Sequence, residues 1–120
     1  MKKNNKALVA LGVVTLAMSI VGSTMAQSAP VTLTVSSDLP LQGGSADQSE
    51  STNNVIKLLL KQVNNKAGKF AIKFKMYDDS TAAKGSWDDA QCAANAQAHV
   101  ANKSEVAVMG TYNSGCAKII

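Results

Sequence analysis

The sequence contains no arginine: all twelve of its basic residues are lysines. Recognition of phosphates and base edges leans heavily on the bidentate guanidinium, so this absence argues against nucleic-acid binding. Aromatic residues make up only 4% of the 120 positions, which leaves Val, Ile, Leu, Ala and Met to build any core. There are two cysteines and one histidine, and no C-x-x-C, G-x-S-x-G or phosphate-binding P-loop is present. The common signatures of thiol redox, hydrolase and nucleotide chemistry are therefore missing. What remains is 46% hydrophobic and 17% charged, the balance of one small globular domain.

The formal charge of +4 is unevenly distributed. Lys2, Lys3 and Lys6 precede an apolar run from Ala7 to Val21, broken only by Gly12, Thr15 and Ser19. A cationic start, about 15 apolar residues and then small residues form the layout of a secretory signal peptide. The run is short for a membrane span, which needs roughly 20 apolar residues; an uncleaved anchor is the alternative. Cleavage after Ala26, with Thr24 two residues before it, makes residues 1–26 the signal and 27–120 the mature chain. That mature chain carries nine lysines against eight acids and is almost neutral. No cysteine lies near the cleavage position, which argues against a lipid anchor. An exported bacterial chain of this kind is expected in the periplasm, where disulfides persist.

Residues 31–37 alternate β-branched and polar side chains and read as a strand. Residues 38–50, with Pro40, Gly43 and Gly44, read as a loop. Val55, Leu58, Leu59 and Val63 recur at helical spacing, which predicts an amphipathic helix from Ser51 that ends around Asn64 to Gly68, with Gly68 as a left-handed stop. Phe70, Ile72, Phe74 and Met76 alternate with Ala71, Lys73, Lys75 and Tyr77 as a second strand, and Lys73 and Lys75 suggest an edge position with a wet face. A polar loop follows, then an Ala-rich helix over about 87–102 with Ser86 as N-cap and Asp88 and Asp89 in the first turn. The apolar run at 105–109 predicts a buried central strand. Residues 110–115 form a polar loop and 116–120 open a third helix. There is no internal repeat or low-complexity tract. Strands alternating with helices imply an α/β fold, an open parallel sheet with right-handed βαβ crossovers. The uncovered side of that sheet suggests the front part of a longer protein; the alternative is a small complete domain.

In such sheets, ligands bind beyond the carboxyl ends of the strands, where strand order reverses. If the first strand lies between the other two, the loops at 38–50 and 110–115 flank that point. Ser114 and Asn113 supply side-chain hydrogen bonds, Tyr112 walls the pocket, and main-chain amides at the start of the third helix face an anion. Ordinary turn residues are the competing explanation.

Cys92, early in the second helix, and Cys116, opening the third, fall at neighbouring helix ends. A disulfide closing a loop of about 25 residues would contribute roughly 3 kcal/mol. A metal site is the weaker reading, since two thiols and a distant His99 do not make one. His99 itself has no obvious partner and reads as a surface or packed residue. Asp78 and Asp79 read as a turn cap, with cation binding as the alternative. Asn102-Lys103-Ser104 matches a glycosylation sequon that is frequent by chance.

From Val31 to Ile120 the chain resembles the periplasmic substrate-binding proteins of ABC transporters, type I fold, in the branched-chain amino-acid (leucine/isoleucine/valine) binding group. The marks are a strand running into Asp38-Leu39-Pro40-Leu41-Gln42-Gly43, a helix ending in Val63-Asn64, the strand end Tyr77-Asp78-Asp79, and Gly110-Thr111-Tyr112-Asn113-Ser114-Gly115. The resemblance implies the first half of the first of two closing lobes, without hinge or second lobe. It implies a non-catalytic binder of an amino acid or similar small carboxylate, without cofactor or metal, that is monomeric when complete and delivers its solute to a membrane permease. Ser114 matches the serine that holds the ligand carboxylate, flanked by Asn113 and Gly115. Family members often carry a disulfide in this region, and Cys92 and Cys116 agree in kind. Where many members place an aromatic after the first strand, this chain has Gly43, Gly44 and Ser45. The same lobe would also serve as the front end of a sensor or receptor, and an exported α/β enzyme is a third possibility.

Overall fold

A computed structural model describes residues 29–120, so the expected signal peptide at 1–26 lies outside the described residues. The elements in order are β1 (Thr32–Leu39), α1 (Ala46–Gln62), β2 (Lys66–Ala67), β3 (Phe70–Asp78), β4 (Ser80–Thr81), β5 (Ser86–Trp87), α2 (Asp89–Ala101), β6 (Glu105–Gly110) and α3 (Ser114–Ala117). The main sheet has the order β2-β3-β1-β6, and β4 and β5 form a separate two-stranded ribbon. β1 runs parallel to both β3 and β6, with Leu39 opposite Asp78 and Asp38 opposite Gly110.

The fold is therefore α/β, as the pattern implies, and β1 lies between the other two long strands. The sheet is mixed, however, not wholly parallel: β2 folds back antiparallel on β3. The cause lies at the end of α1. Asn64 (φ 54°) and Asn65 (φ 52°) adopt the left-handed conformation expected of Gly68. Asparagine tolerates that region because its short polar side chain bonds locally. With the helix ended at Gln62, Lys66 and Ala67 are free to pair, and Gly68 (φ 58°) serves the hairpin turn instead.

Three other boundaries shift for local reasons. α1 begins at Ala46, after a single 3-10 turn at Gly43–Ser45, not at Ser51. Its buried residues include the polar Ser49, within the segment that reads as a loop, and Asn53. α2 is capped by Asp88, whose carboxylate accepts from the amides of Ala90 (3.0 Å) and Gln91 (3.1 Å). Ser86 does not cap, because it pairs with Thr81 in the small ribbon within the expected polar loop. Finally, β6 is an edge strand of the described sheet, with Val106 59% and Val108 38% exposed, not a buried central one. An apolar run identifies a strand without specifying what lies against it.

Successive side chains of β1 point to opposite faces. Ser37 donates to Asn53 of α1 (2.6 Å), whereas Asp38 accepts from Asn95 of α2 (2.8 Å), so the two helices cover opposite faces of the sheet. The apolar–polar alternation of β1 does not match its burial: Thr34, Ser36, Ser37 and Asp38 are buried, and Leu33 and Val35 only half-buried. A central strand sandwiched between helices hides both of its faces.

Candidate functional site

β1, β3 and β6 are parallel and end on one rim of the sheet, which brings three connecting segments together. Leu41 N–H and Gln42 Nε2 both donate to the Asp78 carboxylate (2.9 and 2.8 Å). Gly44 N–H donates to the carbonyl of Gly85 (3.3 Å). The Tyr112 hydroxyl reaches Gln48 Oε1 in the first turn of α1 at 3.1 Å. At Gly110 (φ 142°) a Cβ would stand 2.2 Å from the Asp38 carbonyl oxygen, so only glycine lets the two strand ends approach this closely.

The four expected ligand residues all sit on this rim. Tyr112 is half exposed and bridges toward α1; Asn113 is the residue before α3, although its side chain does not cap it. Ser114, the first residue of α3, is exposed. Gly115 packs under the indole of Trp87, where a Cβ would fall 2.3 Å from the ring. α3 is a single turn whose closing bond runs from Ala117 N–H to the Asn113 carbonyl (3.1 Å). Its first amides have no acceptor within the turn. At the opposite end of the strands, Ala29, Pro30, Val31, Lys66 and Phe70 line a separate groove of about 550 Å³.

Beneath the rim lies a buried polar seam that the sequence reading missed. His99 is not partnerless. One ring nitrogen faces Asp38 Oδ2 at 3.0 Å and the other faces Glu105 Oε2 at 2.8 Å, with the three side chains at most 8% exposed. In the imidazolium form both N–H groups donate and one positive charge is shared between two carboxylates. Tyr77 packs against the imidazole at 4.2 Å between ring centroids. Asn95 donates to Asp38 Oδ1 (2.8 Å) and to the Asp78 carbonyl (2.9 Å), and accepts from Gln91 (3.0 Å). The signal for this seam was present: Gln91, Asn95 and His99 recur every four residues along an otherwise Ala-rich helix.

The adjacent aspartates have opposite roles. Burial pushes the Asp78 carboxyl up, but hydrogen bonds from the Ser80 hydroxyl, Leu41 N–H, Gln42 and Ser80 N–H outweigh it and hold the group below the ordinary carboxylate range. Asp78 is thus the turn cap. Asp79 is completely buried, and neither carboxylate oxygen has a hydrogen-bond partner. Burial, followed by the nearby charges of Asp38 and Asp78, raises its pKa to about 6. It lies against the cysteine pair, which forms the expected disulfide: Cys92 and Cys116, both fully buried, have a Cα–Cα distance of 5.6 Å and tie α3 to α2.

Among the described residues no helix is long and apolar enough to cross a membrane. The chain matches no protein-family model, no curated protein and no solved structure.

Proposed function

We propose that this chain is the solute-binding component of an ABC importer, exported to the periplasm, and that it binds an amino acid of the branched-chain type or a similar small carboxylate for delivery to a membrane permease. The proposal includes membership of the type I substrate-binding group that the sequence resembles, with residues 27–120 as the first part of its first lobe. The observation that carries it is the meeting of the segments after β1 and β6 at one rim, through Tyr112 and Gln48. That rim lies where chain order reverses across the sheet, the usual place for a small ligand in an open α/β fold.

Ser114 is exposed at the start of α3 and can donate a hydrogen bond to a ligand carboxylate. A binding role also fits the histidine: both nitrogens of His99 are engaged by carboxylates, which leaves it no free nitrogen to act as a base on a ligand.

The test is a titration with leucine, valine and related small carboxylates, followed on the backbone amide resonances. Shifts concentrated at residues 41–45 and 111–116 are expected. Shifts confined to the groove around Val31, Lys66 and Phe70, or none at millimolar ligand, would reject the reading. Ser114→Ala should weaken binding by about 1–3 kcal/mol through loss of a charge-assisted hydrogen bond.

A further inference from the structure

The carboxylate of Asp79 is an anomaly. A buried polar atom normally finds a partner, and one without any points to an ion, a water or a chemical role. Both Asp79 oxygens lack a hydrogen bond although the residue is completely buried. One carboxylate oxygen of Asp79 and the two sulfurs of Cys92 and Cys116 all lie within 4.8 Å of one another. The three residues come from different parts of the fold: the residue after β3, the first turns of α2, and the single turn of α3.

We infer that in the reduced chain Asp79, Cys92 and Cys116 form a zinc site that replaces the disulfide as the tie between α2, α3 and the end of β3. Two thiolates and a carboxylate are a suitable donor set for zinc, which accepts three protein ligands and completes a tetrahedron with water. Zinc–sulfur bonds of about 2.3 Å would place the sulfurs roughly 3.8 Å apart. Rotation about the Cα–Cβ bonds can open that spacing from backbones 5.6 Å apart at Cα. The divalent charge would also offset the mutual repulsion of Asp38, Asp78 and Asp79, which together with burial disfavours the ionised Asp79.

The chemistry balances with an external dithiol as reductant. Two electrons pass to the Cys92–Cys116 bond, the S–S bond breaks, two thiols form, and the reductant leaves as its own disulfide. Zinc binding then displaces both thiol protons, and Asp79 joins as the carboxylate. Covalent bond and metal are thus alternative clasps on one seam. The metal form would belong to a reducing compartment and the disulfide to an oxidising one. The inference does not depend on the solute proposed above.

Cobalt(II) is the probe, added to the full chain with and without prior reduction by a phosphine. The reduced chain should bind one equivalent, with thiolate-to-cobalt charge-transfer absorption and intense tetrahedral d–d bands; the oxidised chain should show neither. Cys92→Ser and Cys116→Ser should each abolish the charge-transfer spectrum of the two-thiolate site, and Asp79→Asn should weaken binding by at least about ten-fold. Equal affinity in Asp79→Asn would reduce the finding to a bare dithiol and overturn the site. Should reduction unfold the chain, zinc is expected to restore its helical circular dichroism in the wild type but not in Asp79→Asn. Failure of zinc to restore it would also overturn the proposal, as would a folded, reduced chain that binds no cobalt.

Discussion

The two faces of β1 are covered by helices that hold on in different ways. α2 grips its face through a polar seam in which Asn95 and His99 meet the two oxygens of Asp38, His99 also meets Glu105 Oε2, and the disulfide fastens the far end. α1 meets the other face through Ser49, Asn53 and Ile56, while Val55, Leu58 and Leu59 stay 55% exposed. Hydrogen bonds are directional, so the α2 face fixes one orientation at the risk of a large loss if a partner is removed. Apolar packing is non-directional, and on the α1 face the apolar stripe does not set the helix rotation: the buried Ser37–Asn53 bond sits at its centre (2.6 Å).

That contrast can be broken most directly at His99. His99→Ala leaves Asp38 and Glu105 buried without their shared donor and should cost about 3–5 kcal/mol in chemical denaturation. A loss below about 1 kcal/mol would mean that the seam is not a stabilising unit. Next in size is the clasp: replacing both Cys92 and Cys116 with Ala should lower stability by about 3 kcal/mol, read from the same denaturation curves.

Asp79 sharpens the comparison through pH. Its folded pKa of about 6 lies above the ordinary value of 3.8, so the folded chain holds a proton there that the unfolded chain has lost. Stability from this group is full below about pH 4 and falls as pH rises to about 6, then levels off. Asp79→Asn should remove that slope and make the oxidised protein more stable above pH 6, by at most about 3 kcal/mol. A wild-type stability that instead climbs between pH 4 and 6 by the same amount, unchanged in the variant, would contradict the assignment. The smallest effect belongs to the other face: Leu59→Gln, at a position 55% exposed, should change stability by no more than about 0.5 kcal/mol. A larger loss would show that this stripe is covered in solution.

Local chemistry alone was enough for much of the fold. Period-two alternation located β3, helical spacing located α1, Ala-richness and first-turn aspartates located α2, and the alternation of types implied parallel β1, β3 and β6. The cysteine pairing was legible because both residues fall at the starts of helices that lie on the same face. These features depend on periodicity and chain connectivity, which a sequence carries directly.

What tertiary structure alone decided was which neighbour each side chain meets. Asp38 and His99 are 61 residues apart, and only the packing of α2 on β1 turns an unremarkable histidine into the bridge between two buried carboxylates. Likewise, nothing local separates Asp78, bonded and exposed enough to cap a turn, from Asp79, sealed against the disulfide. Asp78 ends β3 and Asp79 lies just beyond it, so identical aspartates met different surroundings, and a side chain's charge state follows its surroundings, not its position in the chain.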